Sequence, residues 1–168
     1  TQVIYERLGL VSDGTDPTPY KMEGRTYILG EGSTSVMLES ESSALARNAE
    51  KYAEVAGYGM THESVAVGTL RGSGEALDKA IKAACESAGI TLNDIDAIIG
   101  FGNGNSTIDK IEIDSYERVF GDNMKPVLSV KTLVGESRAA AATLAVAHAS
   151  LMLAGKLPAT QPAFNFVN

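Results

Sequence analysis

The order of hydrophobic and polar positions predicts helices that alternate with short strands along most of this chain. In residues 74–88 the apolar positions recur at helical spacing, and Gly89 follows as a C-terminal stop. Apolar β-formers cluster in residues 95–99 and 126–130, and a helical pattern over residues 108–120 lies between them. Two successive strand-to-helix units of this kind predict strands that pair in parallel.

The remaining patterns predict two more strands and two more helices. Residues 27–39 (YILGEGSTSVMLE) alternate glycine with β-formers, and residues 52–59 (YAEVAGYG) form a second strand candidate. Ser40 is predicted to cap a helix that runs to about Lys51. The last helical pattern, residues 137–154, is apolar nearly all round, which predicts a helix in the middle of the structure. The fold class expected from these patterns is α/β, with helices on more than one side of a sheet.

The amino-acid composition limits the kinds of molecule that this protein is expected to bind. A chain of 168 residues with 44% hydrophobic content is sufficient for one domain with a substantial core. The net charge is -7, and 21 acidic residues against 14 basic ones argue against a nucleic-acid partner. The longest nearly apolar run, residues 139–154, is too short for an ordinary membrane span. We therefore expect neither nucleic acid nor a membrane as partner.

The number of cysteines and the sequence of the first ten residues indicate the cellular compartment of the protein and whether it binds a metal. The single cysteine, Cys85, allows no intrachain disulfide and no cysteine-based zinc site, which fits a reducing compartment. Its helical spacing places it on a core-facing stripe, so we do not expect it to be a nucleophile. Residues 1–10 (TQVIYERLGL) have neither a basic start nor a long apolar signal core. The expectation is a cytoplasmic protein without metal or cofactor.

The segment DIDAIIGFGNGNSTIDKIE, residues 94–112, predicts a strand, a Gly/Asn-rich turn and a helix. In an α/β enzyme, chemistry is usually presented at such a turn. Residues 101–106 (FGNGNS), however, contain no side chain that transfers a proton near neutral pH and no activated nucleophile. The sequence therefore predicts the backbone framework of an active site without the acid, base or nucleophile that usually occupies it.

Several motifs in the right order resemble the C-terminal half of the β-ketoacyl synthases of fatty acid and polyketide synthesis. PYKMEGRTYILGEG (residues 19–32) matches the family's PFD..RDGF..GEG, AEVAGYG matches its next strand, and ESAGITLNDID matches the approach to its catalytic loop. The resemblance implies a thiolase-like fold: a layered α/β/α architecture with a mixed sheet and a buried central helix. It also implies that residues 1–168 are one C-terminal ketosynthase domain, without the family's N-terminal half and its closing segment.

Ungapped matching places both family histidines on other residues. The family's DIDYINAHGTSTPLND..E falls on residues 94–112, so that Phe101 stands at the first histidine. Its SSTKSMTGH falls on LSVKTLVGE, which keeps Lys131 and places Glu136 at the second histidine. In the family these histidines support decarboxylation of a malonyl thioester and Claisen condensation, which require donors to a developing negative charge. A phenyl ring supplies no donor and an ionised carboxylate opposes the charge, so no catalytic residue is expected here.

This pattern resembles a chain-length factor, the non-catalytic subunit that pairs with an active ketosynthase in type II polyketide synthases. The resemblance implies a heterodimer with a catalytic ketosynthase, and an acyl carrier protein as second partner. Phe101, Asn103 and Asn105 become candidates for lining the acyl tunnel. Although the family is one of acyltransferases, this chain is expected to be inactive on its own. Lys131 is expected to keep a structural role, and buried Glu136 is expected to need a partner such as Lys131 or Arg138, or water.

Two other functions stay open from the sequence. A divergent β-ketoacyl carrier-protein synthase could use Asn103, Asn105 and Lys131 as an altered donor set, since amides can polarise a thioester carbonyl. A scaffold protein without any acyl ligand is the second alternative, in which Phe101 fills the space of the imidazole as a packed plug.

Overall fold

The computed structural model describes residues 2–12, 14, 19–22, 27–63 and 72–158. Within them the helices and strands are, in chain order, α1 (Gln2–Arg7), α2 (Glu41–Ala46), α3 (Glu75–Ala88), β1 (Ile98–Ile99), α4 (Ser106–Phe120), β2 (Val127–Leu128), α5 (Lys131–Val134) and α6 (Ala141–Leu153). Single 3₁₀ turns lie at Leu92–Asp94, Gly121–Asn123 and Arg138–Ala140. Helices and strands alternate from α3 onward, which makes the described chain α/β, as predicted.

The two strands pair in parallel and α4 connects them. Ile98 is opposite Val127 and Ile99 is opposite Leu128, so the predicted parallel pairing is confirmed. Each strand is shorter than the sequence pattern because only the central residues of each apolar run form ladder bonds. The loop after β1 therefore begins at Gly100, whose N–H donates to the carbonyl of Leu128 at 2.8 Å.

The strands predicted over residues 27–39 and 52–59 are not formed in the described chain. Val11 with Tyr27 and Leu29 with Glu136 form isolated parallel bridges, and neither predicted segment continues into a ladder. A strand requires a neighbouring backbone, and residues 31–39 make no backbone hydrogen bond to another described segment. All described pairings are parallel, so the mixed sheet is not seen in these residues.

The end of α3 and the start of α2 coincide with their sequence signals. Helix α3 ends at Gly89, which adopts a left-handed conformation and donates its N–H to the carbonyl groups of Cys85 and Glu86. The Ser40 side chain caps α2 as predicted, by accepting from the N–H of Ser43. Helix α2 nevertheless ends at Ala46, before the predicted end, because Asn48 adopts φ 51°, in the left-handed region.

The prediction that the last helix is buried at the centre is wrong for the described chain. None of the residues of α6 is buried, and Leu153 is 76% exposed. Apolar residues on all sides indicate that a helix can be buried, but the described residues cover only part of its surface. Among the helices described, none has the length and hydropathy needed to cross a bilayer.

Helix α4 takes the central position instead. Its inner face, together with Tyr20 and Val127, forms the main cluster of buried apolar side chains. Leu77 and Ile81 of α3 pack against this cluster, and Arg118 of α4 contacts Asp78 of α3 at 2.8 Å. The helix that follows the Gly/Asn-rich loop therefore packs against both α3 and the two strands.

Candidate functional site

The loop of residues 100–105 leaves the carboxyl end of β1 and leads directly into α4. Asn105 caps this helix, since its side-chain oxygen accepts from the N–H of Thr107 at 3.1 Å and of Ile108 at 3.4 Å. This cap explains why α4 begins at Ser106, two residues before the start of its apolar pattern. The loop lies at the position where parallel α/β sheets place ligands.

Glu112, two turns into α4, holds the first part of the loop. Its carboxylate accepts from the backbone N–H of Phe101 at 2.6 Å and of Gly102 at 2.9 Å. The phenol groups of Tyr20 and Tyr116 donate to the same carboxylate, at 2.8 Å and 2.7 Å. Four donors on one buried carboxylate fix the backbone at Phe101, because hydrogen bonds to an ionised group are among the stronger ones in proteins.

Asp109 holds the second part of the loop in the same way. Its fully buried carboxylate accepts from the N–H groups of Asn103 at 3.0 Å, Gly104 at 3.1 Å and Tyr20 at 2.7 Å. The N–H of Asn105 donates to the side-chain oxygen of Asn103 at 3.0 Å. Together with the bonds to Glu112, this arrangement engages every backbone N–H of residues 101–105 inside the protein.

Tyr20 closes the inner side of the loop and requires glycine at two positions. A Cβ atom at Gly100 would lie 2.1 Å from the Tyr20 hydroxyl oxygen, and one at Gly102 would lie 2.4 Å from its ring. Tyr20 itself adopts φ 64°, in the left-handed region. The glycines in GFG are therefore needed for the close packing of this tyrosine against the loop.

Lys131, Glu136 and Phe101 meet at the outer side of the loop. The ammonium nitrogen of Lys131 lies 2.8 Å from a carboxylate oxygen of Glu136, and 3.1 Å from the centroid of the Phe101 ring. Lys131 and Glu136 are 5% and 6% exposed, whereas Phe101 is 48% exposed. The phenyl ring thus covers a buried ion pair and presents surface of its own.

Lys131 and Glu136 form an ion pair whose geometry does not meet the criteria for a hydrogen bond. The two facing atoms are within ion-pair distance, but neither has a hydrogen-bond partner in good geometry. The other carboxylate oxygen of Glu136 accepts from the N–H of Arg138 at 2.7 Å, while the Arg138 guanidinium lies over the Tyr5 ring at 3.2 Å. The expected partnership of Glu136 with Lys131 is confirmed, and Arg138 contributes through its backbone.

Hydrogen bonds from Ser129 and Gly30 bring together the segments that carry Phe101, Lys131 and Glu136. The Ser129 hydroxyl donates to the carbonyl of Gly102 at 2.8 Å and accepts from the N–H of Lys131 at 3.2 Å. The N–H of Gly30 donates to the carbonyl of Glu136 at 3.0 Å. A Cβ atom at Gly30 would lie 1.7 Å from the carbonyl oxygen of Val134, so glycine is required for this approach.

Burial shifts the charged groups of the site in the directions that disfavour charge. Desolvation lowers the pKa of Lys131, and the nearby carboxylate of Glu136 opposes that shift. Burial raises the pKa of Asp109, against the backbone hydrogen bonds that it accepts. Burial and the carboxylate of Glu112 raise the pKa values of Tyr20 and Tyr116, which keeps both phenols protonated as donors.

The arrangement is unsuited to the stabilisation of a developing negative charge. The carboxylates of Glu136, Glu112 and Asp109 all act on Lys131, whose ammonium is already in contact with Glu136 and the phenyl ring. The backbone N–H groups of residues 101–104 donate to carboxylates and that of Asn105 donates to the Asn103 side chain, so none of the five is left to form an oxyanion hole. No group of three or more metal-ligating side chains occurs in the part of the chain that the structure describes.

The residues predicted from the sequence occupy two different environments. Asn103 and Asn105 are 7% and 4% exposed, and their side-chain oxygens accept backbone N–H groups of the loop and of α4. Phe101 is the member of the three tunnel candidates with a large exposed surface. Lining of a tunnel by these residues stays a prediction. Cys85 is buried on α3, in agreement with its predicted place on a core-facing stripe.

Sequence reasoning missed the roles of Tyr20, Asp109, Glu112 and Ser129. Tyr20 stands where the PFD motif has a phenylalanine, and the additional hydroxyl group is the signal that could have indicated its role. Asp109 and Glu112 coincide with the last aspartate and the glutamate of the family pattern DIDYINAHGTSTPLND..E, but their hydrogen bonds to the loop depend on how α4 packs beneath it. Ser129 matches the second serine of the SSTK pattern, but that match by itself does not indicate its hydrogen bonds to Gly102 and Lys131.

Comparison with protein families and curated proteins gives a consistent result. Residues 52–164 match the family model described as "Beta-ketoacyl synthase, C-terminal domain". The putative β-ketoacyl synthase 1 of actinorhodin polyketide synthesis from Streptomyces coelicolor is 33% identical over 137 residues, which cover 80% of this chain and 29% of that protein. The ketoacyl synthase beta subunit of the tetracenomycin polyketide synthase from Streptomyces glaucescens is 33% identical over 150 residues, with 86% and 36% covered.

Solved structures agree in fold. The ishigamide ketosynthase/chain length factor superposes with a TM-score of 0.81 at 31% identity, over 89% of this chain and 36% of that one. AntDE, a type II ketosynthase in complex with its acyl carrier protein AntF, gives a TM-score of 0.83 at 25% identity, over 91% and 40%. The described chain therefore has the thiolase-like ketosynthase fold, and it spans about a third of the length of the curated relatives described above.

Proposed function

This chain belongs to the family of β-ketoacyl synthase C-terminal domains, and on that premise we propose that it is part of a chain-length-factor-like subunit. Such a subunit does not catalyse condensation. It pairs with an active ketosynthase and shapes the space in which a carrier-bound acyl chain grows. In this proposal, residues 1–168 form the C-terminal ketosynthase-like half of the subunit, and the protein acts in the cytoplasm.

The observation that carries the proposal is the buried ion pair beneath Phe101. Motif matching places Phe101 and Glu136 at the two histidine positions of the family, and both side chains contact the Lys131 ammonium. An active site of this family requires donors directed at an acyl oxygen. Here the ammonium is paired with a carboxylate and covered by a ring, which supports a retained framework without condensation chemistry.

The geometry weighs against the divergent-enzyme alternative. That mechanism requires Asn103 and Asn105 to present their amides to a thioester carbonyl. Both side chains are almost completely buried, and their oxygens accept hydrogen bonds from the backbone of the loop and of α4. The nearby carboxylates would also oppose an enolate, since like charges at close range in a buried site repel strongly.

The proposed partners are a catalytic ketosynthase and an acyl carrier protein. One similar structure is a ketosynthase in complex with its acyl carrier protein, and one similar protein is a ketoacyl synthase beta subunit. Carrier proteins of this kind dock largely on basic surface, whereas this chain has a net charge of -7. We therefore assign the main carrier-docking surface to the partner subunit.

Co-expression of the natural protein with the ketosynthase of its pathway tests the proposal. The two should co-purify in equal amounts, and the complex should extend malonyl units on the carrier protein, whereas neither subunit alone should do so. Chain extension by this protein alone, lost on Asn103→Ala, would support the divergent enzyme instead. Failure to co-purify with the ketosynthase, together with no affinity for acyl chains, would support the scaffold.

A further inference from the structure

We propose that Asn103 and Gly104 form a deamidation site whose reaction is controlled by opening of the loop of residues 100–105. The change is a covalent modification of this chain by water, so the inference does not rest on the proposed function. Three observations carry it: the sequence of the pair, the hydrogen bonds that hold its reacting groups, and the buried carboxylates beside it.

The sequence supplies the pair of residues in which this reaction is least hindered. Asn103 is the only asparagine of the sequence that is followed by glycine. In deamidation the backbone nitrogen of the next residue attacks the side-chain amide carbon of asparagine, and glycine, which has no Cβ atom, leaves that approach open. A bond forms from the Gly104 nitrogen to Cγ of Asn103, and the amide nitrogen takes up the displaced proton and leaves as ammonia. Water then opens the cyclic imide at either carbonyl and gives aspartate or isoaspartate.

Both reacting groups are held in the closed loop. The N–H of Gly104 donates to the carboxylate of Asp109 at 3.1 Å, and the side-chain oxygen of Asn103 accepts from the N–H of Asn105 at 3.0 Å. Asn103 and Asp109 are both buried. Attack requires the Gly104 nitrogen to lose its proton, which breaks its hydrogen bond and places a developing negative charge beside a carboxylate. The closed loop therefore suppresses the reaction, which proceeds from a minor population in which the loop is open.

The products do not fit the closed loop. Isoaspartate inserts one more atom into the backbone before Gly104, which displaces the N–H groups of Gly104 and Asn105 from their acceptors. Both products also add a carboxylate next to Asp109, whose pKa is already raised by burial and, to a smaller extent, by the carboxylate of Glu112. The interior at this point disfavours a further negative charge. Deamidation therefore leaves the loop without part of its hydrogen bonds, and the change is irreversible.

Peptide mass spectrometry of the natural protein, incubated in mildly alkaline buffer, tests this inference against a synthetic peptide of residues 99–108 as the unfolded reference. The peptide should deamidate at the position of Asn103, and the folded protein should do so at least about 100-fold more slowly. Loop opening exposes less surface than global unfolding, so the rate in the protein should rise less steeply with urea than the unfolding equilibrium does. Equal rates in protein and peptide, no reaction at Asn103 in the peptide, or equal urea dependences would overturn the inference.

A matched pair of serine variants tests the role of the loop. Ser129→Ala removes the hydroxyl that donates to the carbonyl of Gly102 at 2.8 Å, and it should speed deamidation at Asn103 by about 3- to 10-fold. Ser43→Ala removes an exposed hydroxyl that donates to Glu39 at 3.0 Å, and it should change the rate by less than about 2-fold.

The stability of the deamidated protein, separated by its added charge, provides a second readout. Its unfolding midpoint in urea should be lower than that of the unreacted protein, because the loop has lost hydrogen bonds to Asp109. Equal midpoints, or equal deamidation rates in Ser129→Ala and Ser43→Ala, would overturn the inference. The comparison of natural protein with peptide requires no variant, so the inference stays testable if Ser129→Ala does not fold.

Discussion

The ammonium nitrogen of Lys131 lies 2.8 Å from a carboxylate oxygen of Glu136, and both side chains are more than nine-tenths buried. The two residues are five positions apart, on either side of the glycine that ends α5. The pair is an internally compensated contact between a buried cation and a buried carboxylate. Its energetic character can be tested directly.

Breaking the pair on one side should be far more harmful than replacing both partners. We expect Lys131→Met or Glu136→Leu alone to lower the free energy of unfolding by about 3–5 kcal/mol, because each leaves an uncompensated buried charge. The combined variant should fall within about 1 kcal/mol of the natural protein or exceed it. Urea unfolding of the natural protein and its variants measures these values.

An exposed ion pair provides the matched control for this cycle. Lys110 and Asp114 are also 2.8 Å apart, but their side chains are 69% and 37% exposed. Lys110→Met should therefore change the free energy of unfolding by at most about 0.5 kcal/mol. Equal effects at Lys131 and Lys110 would contradict the buried, low-dielectric character of the central pair.

The buried lysine should also leave a signature in the pH dependence of stability. Desolvation lowers the pKa of Lys131 in the folded state, so the unfolded chain binds more protons between that value and the unfolded pKa near about 10.4. Stability should consequently rise with pH through this window, whereas below it Lys131 is protonated in both states and adds no slope. The rise is measured as the difference between the natural protein and Lys131→Met/Glu136→Leu in urea midpoints from about pH 8 to pH 10. A difference that is flat or falls with pH would contradict the shift.

The two phenols on Glu112 should each contribute to the stability of the loop. Tyr20→Phe and Tyr116→Phe remove one donor each from a buried carboxylate, and each should cost about 1.5–3 kcal/mol. Tyr58, which is 76% exposed, supplies the control, and Tyr58→Phe should lie within about 0.5 kcal/mol of the natural protein. Thermal or urea unfolding distinguishes these outcomes, and a Tyr20→Phe protein as stable as Tyr58→Phe would contradict a stabilising hydrogen bond from Tyr20 to Glu112.

The two glycines of the GEG motif should differ in their tolerance of a methyl group. A Cβ atom at Gly30 would lie 1.7 Å from a backbone oxygen of Val134, whereas one at Gly32 would lie 3.6 Å from the Leu144 side chain. Gly30→Ala should therefore destabilise the protein by about 3 kcal/mol or fail to fold, and Gly32→Ala should be neutral or slightly stabilising. Comparable expression and unfolding midpoints for the two variants would contradict the close approach of Gly30 to residues 134–135.

Local patterns were sufficient for the elements whose signals are local. Apolar spacing and caps were sufficient to predict helices α3 and α4, and the order of elements was sufficient to predict the parallel pairing of β1 with β2. The strands over residues 27–39 and 52–59 could not be decided from sequence, because a ladder depends on a second backbone in the right place. For α6, sequence indicated an apolar helix but not how much of it the neighbouring residues would cover.

The site was predictable in outline and not in detail. Motif spacing matched Phe101 and Glu136 to the two histidine positions of the family motifs. The contact between Lys131 and Glu136 followed from the need of a buried carboxylate for a counterion. The internal use of Asn103 and Asn105 depends on the path of the loop over α4. Such hydrogen bonds arise only when segments distant in sequence have packed together, and no periodicity encodes them.

The absence of condensation chemistry is best tested by measuring the release of carbon dioxide from a malonyl carrier protein labelled at the free carboxyl, with the natural protein purified away from any ketosynthase. We expect release no faster than from the malonyl carrier protein alone, because the paired Lys131 and the surrounding carboxylates cannot stabilise the enolate that forms. Sustained release that requires this protein and disappears in Lys131→Met/Glu136→Leu would contradict it, since the ion pair would then be a working catalytic centre.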